Sequence, residues 1–279
     1  MEALKIMPVL DFLYKTVPGR LLLKPLTVRG LSKLSGRLMD TGLSKALIKP
    51  FVKSSGIDTS EYDLSQVKSF NTFFYRPVLP GMRPVCEDPD TFIAPCDGLL
   101  TAIPIKDDTV LHVKQSEFSV SGLLRSRKLA EKYKDGMCLV FRLCVDNYHR
   151  YAYAESGVKS RNRFIEGVLH TVRPVALEER PVFTENCREY CLIKTEKFGT
   201  LVQMEVGAML VGKISNDNMG EGPVKRGAEK GHFEYGGSTI IVLLRRGAAE
   251  IREDILQASK EGIETPVKLG EAIGQSTAD

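Results

Sequence analysis

The chain has 279 residues, 43% hydrophobic and 27% charged, without tryptophan, a globular composition long enough for one large domain or two small ones. A net charge of +4 is too slight to argue for a nucleic-acid partner. No apolar run approaches the ~18 residues that cross a bilayer, and Asp11 and Lys15 interrupt the early apolar segment, so neither a span nor a secretory signal is expected.

Charge is unevenly placed. Through Lys53 there are ten basic residues (Lys5, Lys15, Arg20, Lys24, Arg29, Lys33, Arg37, Lys45, Lys49 and Lys53) against Glu2, Asp11 and Asp40. Residues 1 to about 55 read as helical. Leu31, Leu34 and Leu38 keep i, i+3, i+7 spacing, Leu43, Leu47 and Phe51 continue the stripe, and the lysines lie largely off it. Pro8, Pro18, Pro25 and Pro50 are expected to break the region into short pieces. Such a basic amphipathic segment either lies on an anionic surface or packs on its own domain with a solvated basic face.

From about residue 90 the pattern changes to short β-like runs: 99–105, 109–113, 137–145, 164–172, 188–195, 200–206, 208–215 and 238–244. One long helical pattern follows at 248–261. The expected class is α+β, with a mainly β core of sandwich or barrel type behind an N-terminal helical region. Six cysteines (86, 96, 138, 144, 187 and 191) form no Cys-x-x-Cys pair and no zinc-like spacing, so all are read as reduced thiols in a cytosolic compartment.

The segment richest in chemistry is Gly231-His232-Phe233-Glu234-Tyr235-Gly236-Gly237-Ser238-Thr239, followed by the apolar run 240–244. Two glycines free the backbone just before a serine that opens a buried strand. Strain there would press the Ser238 hydroxyl toward the carbonyl of Gly237, as suits a serine that cuts its own chain. A tight turn feeding a strand is the plainer reading of Gly-Gly-Ser. Ala94-Pro95-Cys96-Asp97-Gly98 places an acid in a turn, and Val145–Tyr151 carries His149 between aromatics at the end of a strand.

Taken together these segments resemble the phosphatidylserine decarboxylase family. Phe70-Asn71-Thr72-Phe73-Phe74-Tyr75-Arg76-Pro77 is similar to its F-x-x-F-F-x-R segment, Ala94–Gly98 to its (S/A)-P-x-D-G, and Lys114–Val120 with Leu123-Leu124 to its K-x-x-x-(Y/F)-(S/T)-(L/V)…L-L. Tyr148-His149-Arg150, Val206-Gly207-Ala208…Val211-Gly212 and Gly227…Gly237-Ser238-Thr239 follow in the family's order.

The resemblance implies a zymogen of phospholipid biosynthesis that matures by autocatalytic serinolysis at Gly237-Ser238. Residues 1–237 would become the β chain and 238–279 the α chain, held as a heterodimer, with Ser238 converted to a pyruvoyl group. That group would form a Schiff base with the substrate amine and release CO2, giving phosphatidylethanolamine, with no PLP and no metal. A triad of Asp97, His149 and Ser238 carries over. Many relatives have a second histidine three residues after the first, where this chain has Ala152, so His149 leads as base, His170 stands in reserve, and His232 has either a structural or an acid/base role. A lipid substrate also turns the N-terminus toward membrane docking. Residues 1–67 are then expected to associate with membrane and 68–279 to form the catalytic domain, peripheral on the cytoplasmic face, with the oligomeric state (homo-oligomers included) left open. The rivals are a pyruvoyl decarboxylase of a soluble amino acid derivative and a lipid-binding relative that never matures.

Overall fold

A computed structural model describes residues 2–27, 35–106, 110–113, 116–172, 174–208, 214–235 and 238–277. Several residues of the motifs above lie outside these: Arg29, Leu31, Lys33, Leu34, Lys114, Gln115, Val211, Gly212, Gly236 and Gly237.

The N-terminal region is helical: α1 (Glu2–Lys15), α2 (Val17–Leu26), a helical stretch at 35–39, a tight 3-10 segment (Gly42–Leu47) and α3 (Ile48–Ser55). Thr16 caps α2 by accepting from Gly19 N–H, and Gly56 ends α3 in the left-handed conformation. Pro18 and Pro50 fall in first turns, where no donor is missed, while Pro8 and Pro25 are carried inside their helices rather than ending them. A fourth short helix, α4 (Phe70–Phe74), is closed by a capping box between Ser69 and Thr72.

The rest is α+β and mainly antiparallel. The site is built from β1 (Gly98–Pro104), β2 (Met137–Leu143), β3 (Arg150–Ala152), β4 (Arg188–Lys194), β5 (Thr200–Val206), β6 (Ile214–Asn216), β7 (Glu229–Phe233), β8 (Ser238–Leu244) and β9 (Thr265–Val267). A nine-stranded sheet runs in the order Gly222–Val224, Gly157–Lys159, β4, β5, β8, β2, β1, β9, with Arg163–Ile165 also pairing β4. A smaller sheet has the order β6-β7-β3.

β8 occupies the middle of the large sheet and is buried along its whole length, as its uninterrupted apolar run requires. Its alternate residues serve two cores. Ile241 and Leu243 join Val202, Met204, Val140 and the helix residues Leu13, Tyr14 and Leu23. Ile240 and Val242 join Phe141, Leu143, Tyr151 and Phe233 on the other face. The N-terminal helices therefore cover one face and the β3-β7-β6 sheet contributes to the other.

The expected runs at 137–145, 188–195, 200–206 and 238–244 are strands with nearly those bounds. Two differ. Of 164–172 only 164–165, the end of Arg163–Ile165, is strand; beyond it Val168 makes a single bridge to Asn186, where Gly167 lets the chain pass close to Glu185. At 248–261 the helix is Glu253–Lys260, preceded by a strand, Ala249–Ile251, that pairs near the C-terminus.

Candidate active site

Register gathers the motif segments at one end of the large sheet. Ser238 pairs with Leu143, the last residue of β2, and Leu99 pairs with Arg142 on its other side. Val206 pairs with Thr239, which sets Gly207 beside Ser238. The turn before β1, the loop after β2, the first residue of β8 and Gly207 thus share one end. Gly98 is required there, since a Cβ would stand 2.9 Å from the Arg142 carbonyl oxygen.

Ser238 is completely buried, and its Oγ has no hydrogen-bond partner among the described residues. Leaving a buried hydroxyl unsatisfied costs about 1–3 kcal/mol, so a serine merely opening a strand would be replaced at a gain. Its side chain shares a face with Ile240 and Val242.

His149 lies on that same side, because β3 follows it directly and packs Tyr151 into the core of Ile240 and Val242. Its Nδ1 is 2.9 Å from the Asn147 carbonyl oxygen. A carbonyl can only accept, so Nδ1 carries the proton and Nε2 of the neutral ring bears the lone pair. Phe74 stacks on the imidazole at 4.0 Å between centroids, and Tyr235, three residues before Ser238, packs against Phe51, Phe70 and Phe74. Backbone bonds stitch the parts together: Phe233 N–H donates to His149 O at 2.9 Å and Ala152 N–H to Pro95 O at 2.8 Å. Gln203 closes the other side, donating to Ala152 O at 2.8 Å and accepting from Ala154 N–H at 3.1 Å.

Asp97 is held differently from what the sequence suggested. Its carboxylate accepts from Arg83 Nε at 2.8 Å, from Arg83 Nη2 at 2.6 Å and from Leu269 N–H at 2.9 Å. Arg83 also pairs with Glu61 at 2.9 Å, and this holds the Glu61 carboxyl below the usual range. Asp97 is thus fixed at the site end by an arginine; its hydrogen bonds among the described residues go to Arg83 and Leu269, not to His149 or Ser238. Nothing in the sequence singled out Arg83 or Glu61, whereas Phe74 stood inside a motif already noted.

The other histidines go elsewhere. His170 Nδ1 lies 3.2 Å from the Tyr14 hydroxyl, placing the ring with α1 and the opposite core, and the His170 backbone N–H donates to Asn186 Oδ1 at 2.8 Å. Burial first and Arg180 second lower its pKa to about 4, despite Glu185 3.4 Å from Nε2. His232 stacks on Tyr75. With Asp217 and Glu229 it forms a group whose ligand atoms lie within 4.8 Å of one another, but Glu229 is already paired with Arg150.

Comparison with known proteins bears directly on this site. A sequence model of the family described as phosphatidylserine decarboxylase matches residues 70–275, from α4 through Ser238 and beyond. The chain belongs to the phosphatidylserine decarboxylase family. It is 42% identical to phosphatidylserine decarboxylase proenzyme 2 of Clostridium acetobutylicum over 96% of this chain and 91% of that one. It is 40% identical to the phosphatidylserine decarboxylase proenzyme of Ruminiclostridium cellulolyticum over 95% of this chain and 90% of the relative. With the Clostridium beijerinckii proenzyme it shares 38% identity, again over 95% of its length. The relatives align over 95% or more of this chain, so the likeness reaches well before residue 70, where the family match begins.

Proposed function

We propose that this chain is a self-processing phosphatidylserine decarboxylase, a carboxy-lyase that converts phosphatidylserine to phosphatidylethanolamine and CO2. The observation that carries the reading is the buried, unpartnered Ser238 Oγ at the head of the central strand, with His149 on the same side of the sheet. A residue destined to become a pyruvoyl group fits this position: its hydroxyl is buried and is spent in no other bond among the described residues.

In maturation His149 Nε2 takes the Ser238 hydroxyl proton. Oγ attacks the Gly237 carbonyl carbon, and the proton passes to the departing Ser238 nitrogen, so that an amide becomes an ester. Asp97, oriented by Arg83 and Leu269 N–H at the same end of the sheet, supports the imidazolium that forms through its charge rather than through a direct hydrogen bond. Elimination then divides the chain into 1–237 and 238–279. The pyruvoyl group left at 238 supplies the electron sink for loss of CO2 from a bound amino acid carboxylate. His149, packed on Phe74 at that end of the sheet, serves as the proton donor.

The N-terminal region holds the enzyme on an anionic membrane surface at the cytoplasmic face. Val9, Phe12, Val17, Leu21, Leu22, Leu38, Leu43 and Leu47 are exposed among Arg20, Lys24, Arg37, Lys45 and Lys49, and Leu43 is 88% exposed. No described helix is long and apolar enough to cross a membrane.

Intact-mass measurement tests the reading. The purified protein should comprise two fragments divided between Gly237 and Ser238, the smaller one blocked to Edman degradation, and it should decarboxylate phosphatidylserine in vesicles. Ser238→Ala should remain full length and inactive; cleavage of that variant at the same bond would end the proposal.

A further inference from the structure

A buried ion pair lies across the Ser238 face of the sheet, and the reading above leaves it unused. Glu205 on β5 and Lys230 on β7 both have fully buried side chains, with Lys230 Nζ 2.6 Å from Glu205 Oε2. The same oxygen accepts from Asn216 Nδ2 at 3.2 Å, and Lys230 also donates to Asn216 Oδ1 at 2.8 Å. The second carboxylate oxygen, Oε1, is buried and has no hydrogen-bond partner among the described residues.

Register places this oxygen's side chain next to Ser238. Glu205 pairs with Ile240, two residues from Ser238, so both side chains stand on one face of adjacent strands. Such diagonal neighbours are about 7–8 Å apart and within reach of a long side chain. Gly207, which lies beside Ser238, puts no side chain between them. Two buried oxygens without partners, Ser238 Oγ and Glu205 Oε1, therefore share one patch. A purely structural pair, pinning β7 to β5, accounts for Oε2 and leaves Oε1 unexplained. Burial outweighs Lys230 and holds the Glu205 carboxyl above its ordinary range, making it a stronger base than an exposed carboxylate.

Self-cleavage at Gly237-Ser238, on which this inference rests, contains a proton transfer that the triad does not assign. Once Ser238 Oγ carries the Gly237 acyl group, the chain parts only when the hydrogen on Cα of residue 238 is removed. Its electron pair forms a Cα=Cβ bond, the Cβ–Oγ bond breaks, and Gly237 leaves as a carboxylate. We propose that Glu205 Oε1 takes this Cα proton and returns it to Cβ as the resulting enamine becomes an iminium. Water then releases ammonium and leaves the ketone. Lys230 and Asn216 hold Oε2 so that only Oε1 turns toward residue 238. This assignment separates two bases by step: His149 for the hydroxyl and Glu205 for the carbon acid.

The test follows processing of freshly made full-length protein by intact mass, with and without neutral hydroxylamine, which cleaves an ester and spares an amide. Glu205→Gln should process at least about 10²-fold more slowly, the usual contribution of a general base. Its full-length chain should be cut by hydroxylamine between residues 237 and 238, exposing an N-terminal serine readable by Edman degradation. Glu205→Gln/Lys230→Met, which removes both buried charges together, should stall at the same ester. Ser238→Ala should resist hydroxylamine. Wild-type processing rates in either Glu205 variant overturn the proposal, and so does a full-length product of both that hydroxylamine cannot cut, since Glu205 would then act before the ester forms or only in folding. Failure of the wild-type chain to divide would instead remove the self-cleavage reading itself.

Discussion

At the scale of single residues, the site depends on which polar groups are held and which are left over. Asp97 is clamped by Arg83, with side chains only 4% and 8% exposed. Asp97→Asn should slow cutting, by less than the ~10⁴ lost when a triad acid bonded directly to its histidine is replaced. Removing the other partner by Arg83→Met strands a buried carboxylate, with an expected loss of about 3–5 kcal/mol in urea unfolding and slower processing. His149→Ala and His170→Ala, compared by intact mass, decide the base: His149→Ala should block cleavage and His170→Ala should not. His170 has a separate signature. Its ring is neutral in the fold with a pKa of about 4, against 6.5 for the ordinary group, so between these values the unfolded chain binds more protons. Stability contributed by His170 is complete above pH 6.5 and disappears as pH falls toward 4, a span of about 3 kcal/mol. Melting curves of the Ser238→Ala chain should show this decline, and His170→Asn should flatten it. Ser238, Asp97 and His149 were legible in sequence because each stands in a short motif. Arg83 and Glu61 were not, because an arginine and a glutamate that meet only in three dimensions leave no local pattern.

At the scale of elements, long buried strands announced themselves and short ones did not. Uninterrupted apolar runs such as Ile240–Leu244 fix β8, whereas β7 reads Glu-Lys-Gly-His-Phe and looks like a solvated loop. Its Lys230 is buried only because Glu205 meets it from another strand, which alternation of polar and apolar residues cannot reveal. β7 nevertheless leads directly into the cleavage segment. Gly231 lets it approach β6, for a Cβ there would stand 2.1 Å from the Ser215 carbonyl oxygen. Gly231→Ala should therefore push the two strands apart and disturb Lys230. The expected result is a lower melting temperature together with a larger full-length fraction at a fixed time after synthesis.

At the scale of the whole molecule, the N-terminal helices divide their apolar residues between core and surface in a way that one sequence pattern could not separate. Leu13, Tyr14 and Leu23 pack into the core and Phe51 packs beside Tyr235, while Phe12, Leu21 and Leu22 remain outside. Among the described residues of the leucine stripe, Leu38, Leu43 and Leu47 are likewise exposed, and Phe51 is drawn inward. Binding to phosphatidylserine vesicles should weaken with salt without vanishing, because charges are screened over ~8 Å whereas apolar contact is not. Replacing Lys33, Arg37, Lys45 and Lys49 by glutamine should lower vesicle co-sedimentation, and Phe12→Ser/Leu21→Ser/Leu22→Ser should lower the part that resists salt. Chain cleavage should be unchanged in both, since Ser238, His149, Asp97 and Glu205 are all retained.

The position of β8 between β5 and β2 also decides what happens when the molecule is taken apart. Before the bond at 237–238 is cut, folding is a unimolecular event, and the central strand arrives tethered to its neighbours. Afterwards the 42-residue piece that carries β8, β9 and the helix Glu253–Lys260 must find its slot by collision. Denaturant-unfolded mature protein should then regain structure at a rate that scales with concentration, while the Ser238→Ala chain recovers at a rate independent of it. On the proposed cleavage, each molecule would have one intramolecular assembly in its lifetime, and maturation would convert a tethered fold into one whose loss dilution makes permanent.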